Sequence, residues 1–204
     1  MHLHRDLIVS TAVALLNEYG LADTTMRRVA TTLSVAPGAL YWHINNKQAL
    51  IAAIADYIVG PVLDAPATDA TELSRRLRQR LLAFRDGAEV VSAGLSQVDN
   101  PTWWRLVEHV EQSLAASVEC AAVPESLRAA ATALIHLTVG ATTFEQSRGQ
   151  LAAFAAAAPP AEPAEPADAA LADAAEPATS ELERAVAFII RGLQSTTVED
   201  YARK

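Results

Sequence analysis

The sequence predicts an all-α protein made of a small N-terminal three-helix unit and a larger helical bundle. Three observations support this fold class. Apolar residues recur at helical spacing along nearly the whole chain, no segment alternates like a strand, and capping residues or Gly and Pro mark most segment ends. With 204 residues, 51% of them hydrophobic, the chain is long enough to bury a sizeable core.

Four helices are predicted in the first sixty residues. The first ends at Gly20 and carries an apolar stripe: Ile8, Ala12, Leu15, Leu16 and Tyr19. The second is short, has Thr24 as its cap, and buries Met26, Val29, Ala30 and Leu33. Pro37 suits the first turn of a third helix, which is predicted to end before Asn45 and Asn46. A fourth, connecting helix over 46–62 begins at the cap Asn46, follows Leu50, Ile54, Tyr57 and Ile58, and ends near Gly60 and Pro61.

The helices predicted after residue 66 are longer. One carries Leu73, Leu77, Leu81 and Phe84, and another follows the turn Asp99-Asn100-Pro101. Residues 125–155 predict an apolar helix buried between others, and residues 181–195 predict an amphipathic last helix capped by Ser180. Between these two, residues 157–180 are too rich in Pro, Ala and acidic residues to pack, which predicts a disordered loop. The predicted domains are therefore 1–48 and 66–204.

Charge is distributed unevenly between the predicted domains. Residues 1–50 hold four basic and three acidic residues, whereas residues 51–204 hold twelve and twenty-one, giving a net charge of −8 for the chain. A near-neutral head on an acidic body suits a head that touches a polyanion. The arginines of "RRLRQR" at 75–80 are expected to form a solvated face.

Composition excludes several other classes of protein. The single cysteine, Cys120, rules out an internal disulfide and Cys-rich metal sites, and it fits a cytoplasmic protein. Uncharged stretches such as Ala129 to Phe144 are too short for a membrane span. The N-terminus predicts a mature helix, because polar residues interrupt its apolar run and no cleavage pattern follows.

The stretch "SVAPGALYWHINNK" at 34–47 carries the functional signal. A helix buries only one stripe, so Tyr41, Trp42 and His43 cannot all face one core. Two short helices joined by a tight turn, the second rich in exposed rings, are typical of a helix-turn-helix. We therefore expect Leu40 and Ile44 to point inward and the three rings to reach DNA. Aromatic residues at helical spacing are more often core, but this combination favours DNA.

Lys47 supports the same interpretation. A cation in the first turn of a helix opposes the helix dipole unless an anion lies there. A DNA phosphate bound at the start of the fourth helix would remove this conflict.

The residues Val35, Gly38, Leu40, Tyr41, His43, Lys47 and Leu50 together resemble the N-terminal signature of the TetR family of transcriptional regulators. Weaker similarity to the tetracycline-repressor branch continues in "FRDGAEV", "IHLTVGATTFEQ" and "AFIIRGLQ". The resemblance implies a homodimer that pairs through helices 125–155 and 181–195 and binds a double-stranded, palindromic DNA operator. The function we expect is that of a ligand-responsive transcriptional repressor, which a small molecule releases from this operator.

The resemblance also implies specific DNA contacts. Arg27 matches a base-reading arginine, and Pro37, Gly38 and Ala39 match the positions closest to base edges. Mixed base and phosphate contacts are implied for Thr25, Tyr41, Trp42, His43 and Lys47. Two departures matter: Pro37 replaces a glutamine that can read adenine, and Ser34 replaces a common turn glycine.

A small hydrophobic effector is expected in the body. The resemblance implies an apolar pocket lined by Leu73, Leu77, Phe84, Trp104, His109, Gln112, Ala131, Thr132 and Ile135. The positions that hold a metal–drug chelate in tetracycline repressors match Val91 and Gly94, so we expect no metal and no cofactor. Lone histidines on apolar helices are often structural, and of Trp103 and Trp104 only one can point inward.

Two other functions are open at this point. An enzyme could use the body's cavity, although no nucleophile and base share a motif and no Gly-rich phosphate loop appears. A ligand-binding or scaffold protein without specific DNA binding is the other alternative, suggested by Pro37, Ser34 and the small basic charge of the head.

Overall fold

The computed structural model describes residues 2–66, 68–118, 123–157 and 178–195. Within these ranges the regular structure is entirely helical, which confirms the predicted fold class. The helices are α1 Arg5–Tyr19, α2 Met26–Thr32, α3 Pro37–Tyr41, α4 Lys47–Leu63, α5 Ala70–Leu82, α6 Gly87–Leu95, α7 Pro101–Ser117, α8 Pro124–Ala157 and α9 Ala178–Gln194.

Two predictions near the end of the chain change or fall outside this description. The helix α9 already includes Ser180, so Ser180 is not its N-cap, and the predicted 157–180 loop is helical at both ends. The rest of that loop, residues 158–177, lies outside the described residues, as does Cys120.

Local hydrogen bonds fix the helix ends of the head. Gly20 ends α1 with φ +84°, a conformation that suits glycine. The N-cap of α2 is Thr25, whose hydroxyl oxygen accepts a hydrogen bond from the Arg28 N–H at 3.2 Å. The prediction of Thr24 as this cap was wrong, because the buried Thr24 hydroxyl donates to the carbonyl of Gly20 at 2.8 Å.

Two tyrosines predicted on buried stripes are exposed. Tyr19 lies outside the core, where the guanidinium of Arg28 covers its ring at 4.3 Å from the centroid. Tyr57 is also exposed on α4 and meets Phe84 edge to face. Both sit at the margin of their apolar stripe, where a ring can leave its hydroxyl in water.

The connecting helix α4 ends at Leu63, one residue beyond the predicted range of 46–62, so Gly60 and Pro61 lie inside its last turn. Pro61 lacks an N–H and removes one backbone hydrogen bond, but a residue in the last turn can lose that bond without ending the helix.

The helix α6 packs across α4 at very short range. A side chain on Gly94 would collide with the Ala55 side chain and would lie 3.2 Å from the carbonyl oxygen of Ile51. Only a residue without a Cβ allows this approach. The two helices are therefore packed too closely at this point to admit a side chain on residue 94.

The arginines of α5 are paired rather than simply solvated, which corrects the expected solvated face. Arg78 is largely buried, and its guanidinium donates to both carboxylate oxygens of Glu145 on α8, with N···O distances of 3.0 and 2.6 Å. Arg75 and Arg76 both bind Glu72 on their own helix. The bidentate pair between Arg78 and Glu145 fixes the register of α5 against α8.

The long helix α8 is buried on one face only, although its composition predicted burial on all sides. Its buried residues are Ala131, Leu134, Ile135, Thr138, Val139 and Thr142. Towards its C-terminus, Phe144, Leu151 and Phe154 are exposed in the single chain, as is Phe188 of α9. None of the described helices is long and apolar enough to cross a membrane.

Candidate nucleic-acid interface and regulatory cavity

A left-handed residue makes the tight turn between α2 and α3. Ser34 has φ +55°, its N–H donates to the Thr31 carbonyl, and the next N–H, of Val35, donates to the Ala30 carbonyl. This pair of bonds is a Schellman motif, which ends a helix and reverses the chain. Serine thus makes the turn that glycine more commonly makes, at some backbone strain.

The side chains of α3 and of the residues that follow it divide as the sequence predicted, although α3 ends at Tyr41 rather than just before Asn45, so Trp42, His43 and Ile44 lie beyond it. Leu40 and Ile44 are 0% and 3% exposed and anchor α3 in the head. Tyr41 is 49% exposed, Trp42 is 89% exposed, and His43 also faces solvent. A tryptophan this exposed gains nothing from the core, so it is available to a partner.

Most of the other predicted DNA contacts are exposed on the head. Arg27 is exposed in the first turn of α2, and Lys47 is exposed as the first residue of α4. Pro37 and Gly38 are exposed at the start of α3, and Ala39 is half-buried. Thr25 is half-buried because its hydroxyl caps α2, so this group is already engaged with the backbone.

The N-terminus of α4 presents unpaired N–H groups next to Lys47. Asn46 caps this end, with its side-chain oxygen accepting from the Ala49 N–H at 2.8 Å. Among the described residues Lys47 has no ion-pair partner, so no carboxylate offsets its unfavourable position in the helix dipole.

The nine residues predicted to line the effector pocket do not surround one cavity. Leu73, Leu77 and Ala131 are packed in the core, as is Phe84 beyond the end of α5. Thr132 is half-buried on α8. Trp104 and Ile135 line one cavity, and His109 and Gln112 line a different one. The sequence could not separate these sites because it shows helix faces but not how far apart the helices lie.

The cavity that contains Trp104 and Ile135, here called the regulatory cavity, has a volume of about 310 Å³. It lies between the end of α6, the α6–α7 loop, α7 and α8. Its lining residues are Ser92, Leu95, Ser96, Gln97, Asp99, Asn100, Trp103, Trp104, Ile135, His136 and Val139. Its size is at the lower end of the range for ligand pockets. Trp103 packs against the core and its ring stacks on His136, whereas Trp104 is exposed. Only one of the two therefore packs on the core, as expected, but both line the cavity.

The loop that lines this cavity is also bonded to α4. The side-chain amide of Gln97 donates to the carbonyl of Gln48 at 2.8 Å, one residue after Lys47. The Thr102 hydroxyl donates to the carboxylate of Asp56 at 2.6 Å. Sequence reasoning missed Gln97, because nothing in its local pattern distinguishes it from other loop glutamines.

Asn100 organises the same loop. Its side-chain oxygen accepts from the N–H groups of Thr102 and Trp103 and caps α7, and its amide donates to the carbonyl of Gly94 at 2.7 Å. Asp99 before it has φ +57°. The Asn-Pro start of α7 was the available sequence signal for this arrangement.

His109 lies away from the regulatory cavity, in a recess of about 180 Å³ with Leu63, Arg105, Glu108 and Gln112. Burial lowers the pKa of its imidazole, and its Nε2 atom is buried without a hydrogen-bond partner among the described residues. Within the described ranges no group of three or more His, Cys, Asp or Glu could hold a metal.

The sequence matches a family profile and several full proteins. The profile described as "Bacterial regulatory proteins, tetR family" matches residues 8–54. The class E tetracycline repressor of Escherichia coli is 30% identical over 157 residues, which cover 73% of this chain and 72% of that protein. The chain belongs to the TetR family.

Solved structures are similar to this TetR-family chain over nearly its whole length. BioQ of Mycobacterium smegmatis is 31% identical with a TM-score of 0.77, and the match covers 96% of this chain and 100% of that one. A structure of BioQ with its double-stranded DNA operator matches with a TM-score of 0.73 and 30% identity, covering 95% and 99% of the two chains.

Other curated relatives align with this chain over a shorter stretch. The class C tetracycline repressor of Escherichia coli is 38% identical over 96 residues, which span 43% of this chain and 44% of that protein. The chain therefore aligns with less than half the length of this relative, and the alignment alone does not carry over that protein's ligand.

Proposed function

We propose that this protein is a ligand-responsive transcriptional repressor that binds a palindromic DNA operator as a homodimer. The observation that carries the proposal is the exposed set of rings and cations on the head, in a chain whose fold matches BioQ, a protein solved with its DNA operator. Tyr41, Trp42, His43, Arg27 and Lys47 are the proposed contacts.

The proposed contacts divide by chemistry. Arg27 can donate two hydrogen bonds to a guanine edge, whereas Lys47 and the α4 N-terminus suit a phosphate. Pro37 offers no hydrogen-bonding side chain, so at its position we propose readout by shape and apolar contact. Two heads related by a two-fold axis would read half-sites about 34 Å apart.

The proposed dimer uses the exposed apolar residues of α8 and α9. Phe144, Leu151, Phe154 and Phe188 leave large side chains in water in the single chain. A second copy would bury them, and apolar contact of this kind is typical of obligate homodimer interfaces. The paired helices would hold the two heads at a fixed separation.

Release would begin at the regulatory cavity. A small molecule that displaces the α6–α7 loop would break the bond between Gln97 and the Gln48 carbonyl and shift α6 against α4 at Gly94. Tilting α4 changes the separation of the heads. To reverse occupancy almost completely, the ligand must favour the released conformation by about 5.5 kcal/mol.

The proposal does not require catalysis, and the curated relatives are described as repressors or transcriptional regulators. A scaffold without DNA binding is the alternative that the experiment must separate, because Pro37 and Ser34 depart from the tetracycline-repressor pattern.

The experiment is selection of bound sequences from random DNA by the full-length protein at low salt, where phosphate contacts are strongest. We expect a palindrome to be enriched, and Arg27→Ala and Tyr41→Ala to lose affinity for it. Arg105→Ala, on the exposed surface of α7, is the matched control and should bind normally. Failure to enrich any palindrome would refute the repressor and favour the scaffold.

A further inference from the structure

We propose that the regulatory cavity binds a planar aromatic molecule that carries a positive charge or hydrogen-bond donors, and that it rejects carboxylates and phosphates. This inference rests on the proposed function, since it names the class of effector. The class of effector it names is more specific than the small hydrophobic molecule expected from the sequence.

The charges around the cavity favour a cation. Asp99 is the one carboxylate among the described lining residues, and none of these residues is Lys or Arg. An anion in this cavity would face Asp99 without a cationic partner, whereas an ammonium group would gain the same interaction.

The hydrogen-bonding groups point the same way. The amide N–H groups of Asn100 and Gln97 already donate to the carbonyls of Gly94 and Gln48. The Ser96 hydroxyl donates to the carbonyl of Ala93. The indole N–H groups, the hydroxyl of Ser92 and the imidazole of His136 can still donate, but none of them is a permanently charged group that would hold an anion.

The aromatic residues favour a flat ligand. Trp103 and His136 form a stacked pair with 5.6 Å between their centroids and 18° between their planes, and Trp104 adds a second indole. Flat rings stack on flat rings, and tryptophan is the aromatic residue that attracts cations most strongly. A planar molecule with an amine at its edge can satisfy both the rings and Asp99.

Three naphthalene probes of nearly equal size test the inference: 1-naphthylmethylammonium, 1-naphthalenemethanol and 1-naphthoate. Each is titrated calorimetrically into the full-length protein without DNA. We expect the ammonium probe to bind at least about tenfold more tightly than naphthoate, because their charges at Asp99 are opposite in sign. Equal or tighter binding of naphthoate would overturn the inference, as would failure of all three to bind.

Variants locate the binding. Asp99→Asn should weaken the ammonium probe about fivefold and leave the alcohol unchanged, since asparagine tolerates the left-handed backbone and removes only the charge. Trp104→Ala should weaken both probes. Asp64→Asn removes an exposed carboxylate that does not line the cavity, and it should change neither. An unchanged ammonium affinity in Asp99→Asn would contradict the proposed site.

The two proposals fail separately. If no probe binds but the protein still selects a palindrome, the effector class is wrong and the repressor stands. If the probes bind as expected and no DNA is selected, the cavity chemistry stands and the repressor is wrong.

Discussion

The carboxylate of Asp86 accepts a hydrogen bond from the backbone N–H of Leu21 at 2.8 Å, although the two residues are 65 positions apart. The other carboxylate oxygen accepts from the side-chain amide of Gln150 on α8. The neighbouring Arg85 donates to the carbonyl of Glu18. One turn of the body therefore joins the end of α1 to the proposed dimerisation helix.

Replacing Asp86 tests this junction. In Asp86→Asn an NH₂ group replaces one of the two accepting oxygens and therefore faces a donor, either the Leu21 N–H or the Gln150 amide. Because one hydrogen bond is lost, we expect the free energy of unfolding to fall by about 1–3 kcal/mol. Asparagine tolerates the left-handed φ of +54° at this position, so the backbone is not the cause. Urea denaturation at fixed protein concentration measures the loss.

The matched control is Asp99→Asn, which also replaces a left-handed aspartate, here an exposed one. We expect it to change stability by less than about 0.5 kcal/mol. Equal effects of the two substitutions would contradict a specific role for Asp86 at the junction.

Gly94→Ala tests the close approach of α6 to α4. The added methyl group would collide with Ala55, so the helices must separate at a cost of about 1–3 kcal/mol in the free energy of unfolding. Operator affinity should change with it, because α4 carries the head. Gly149→Ala on α8, an exposed position that meets nothing within 4 Å, should stabilise the protein by about 0.5–1 kcal/mol. If Gly94→Ala changed neither the free energy of unfolding nor the operator affinity, the close contact between the two helices would not be required.

Lys47→Glu should have opposite effects on stability and on DNA binding. An acidic residue in the first turn of α4 suits the helix dipole, so the free protein should gain about 0.3–1 kcal/mol in thermal or urea unfolding. Operator affinity should fall, and the slope of log K against log salt should become shallower by about 0.9 for each DNA phosphate that the variant no longer neutralises. For Lys47→Gln, both stability and operator affinity should lie between those of the unchanged protein and of Lys47→Glu. An unchanged salt slope would remove Lys47 from the DNA interface.

His109 should make stability depend on pH. Burial lowers its pKa in the folded state, so the unfolded state binds a proton more readily. The contribution of neutral His109 is therefore fully present above the ordinary pKa of 6.5 and is lost as pH falls from there towards the lowered folded pKa. His109→Gln should flatten the fall in stability between about pH 7 and pH 5. The same steepness in both proteins would contradict this assignment.

Leu151→Glu tests the proposed dimer. A glutamate buried against a second copy would lack a partner, and each 1.4 kcal/mol of that cost weakens association about tenfold. We expect the dissociation constant from sedimentation equilibrium to rise at least about tenfold. Val98→Glu changes an exposed apolar residue on the α6–α7 loop and should leave the dimer intact. An unaffected dimer in Leu151→Glu would move the interface elsewhere.

Features that depend on neighbours in sequence were predictable. The apolar stripes of α1 and α2, the Gly20 end of α1 and the outward direction of Tyr41, Trp42 and His43 all follow from helical periodicity and capping. The errors in these local predictions are small. Thr24 and Thr25 are both able to cap α2, and only the buried bond from Thr24 to Gly20 decides between them.

The body was less predictable because its sites depend on contacts between distant segments. Arg78 looks like a surface residue until α8 brings Glu145 against it, 67 positions away. The predicted effector residues share helix faces, but the helices pack tightly at Leu73 and Leu77 and leave space instead beside the α6–α7 loop and in the recess at His109.

The sequence by itself therefore determined the helical class, the helix-turn-helix and the exposure of Tyr41, Trp42 and His43, since each is set by interactions within a few residues of chain. Tertiary structure alone decided where the body leaves a cavity, which arginines are paired and how the α6–α7 loop reaches α4. Those features depend on the distances between packed helices, and no local pattern records such distances.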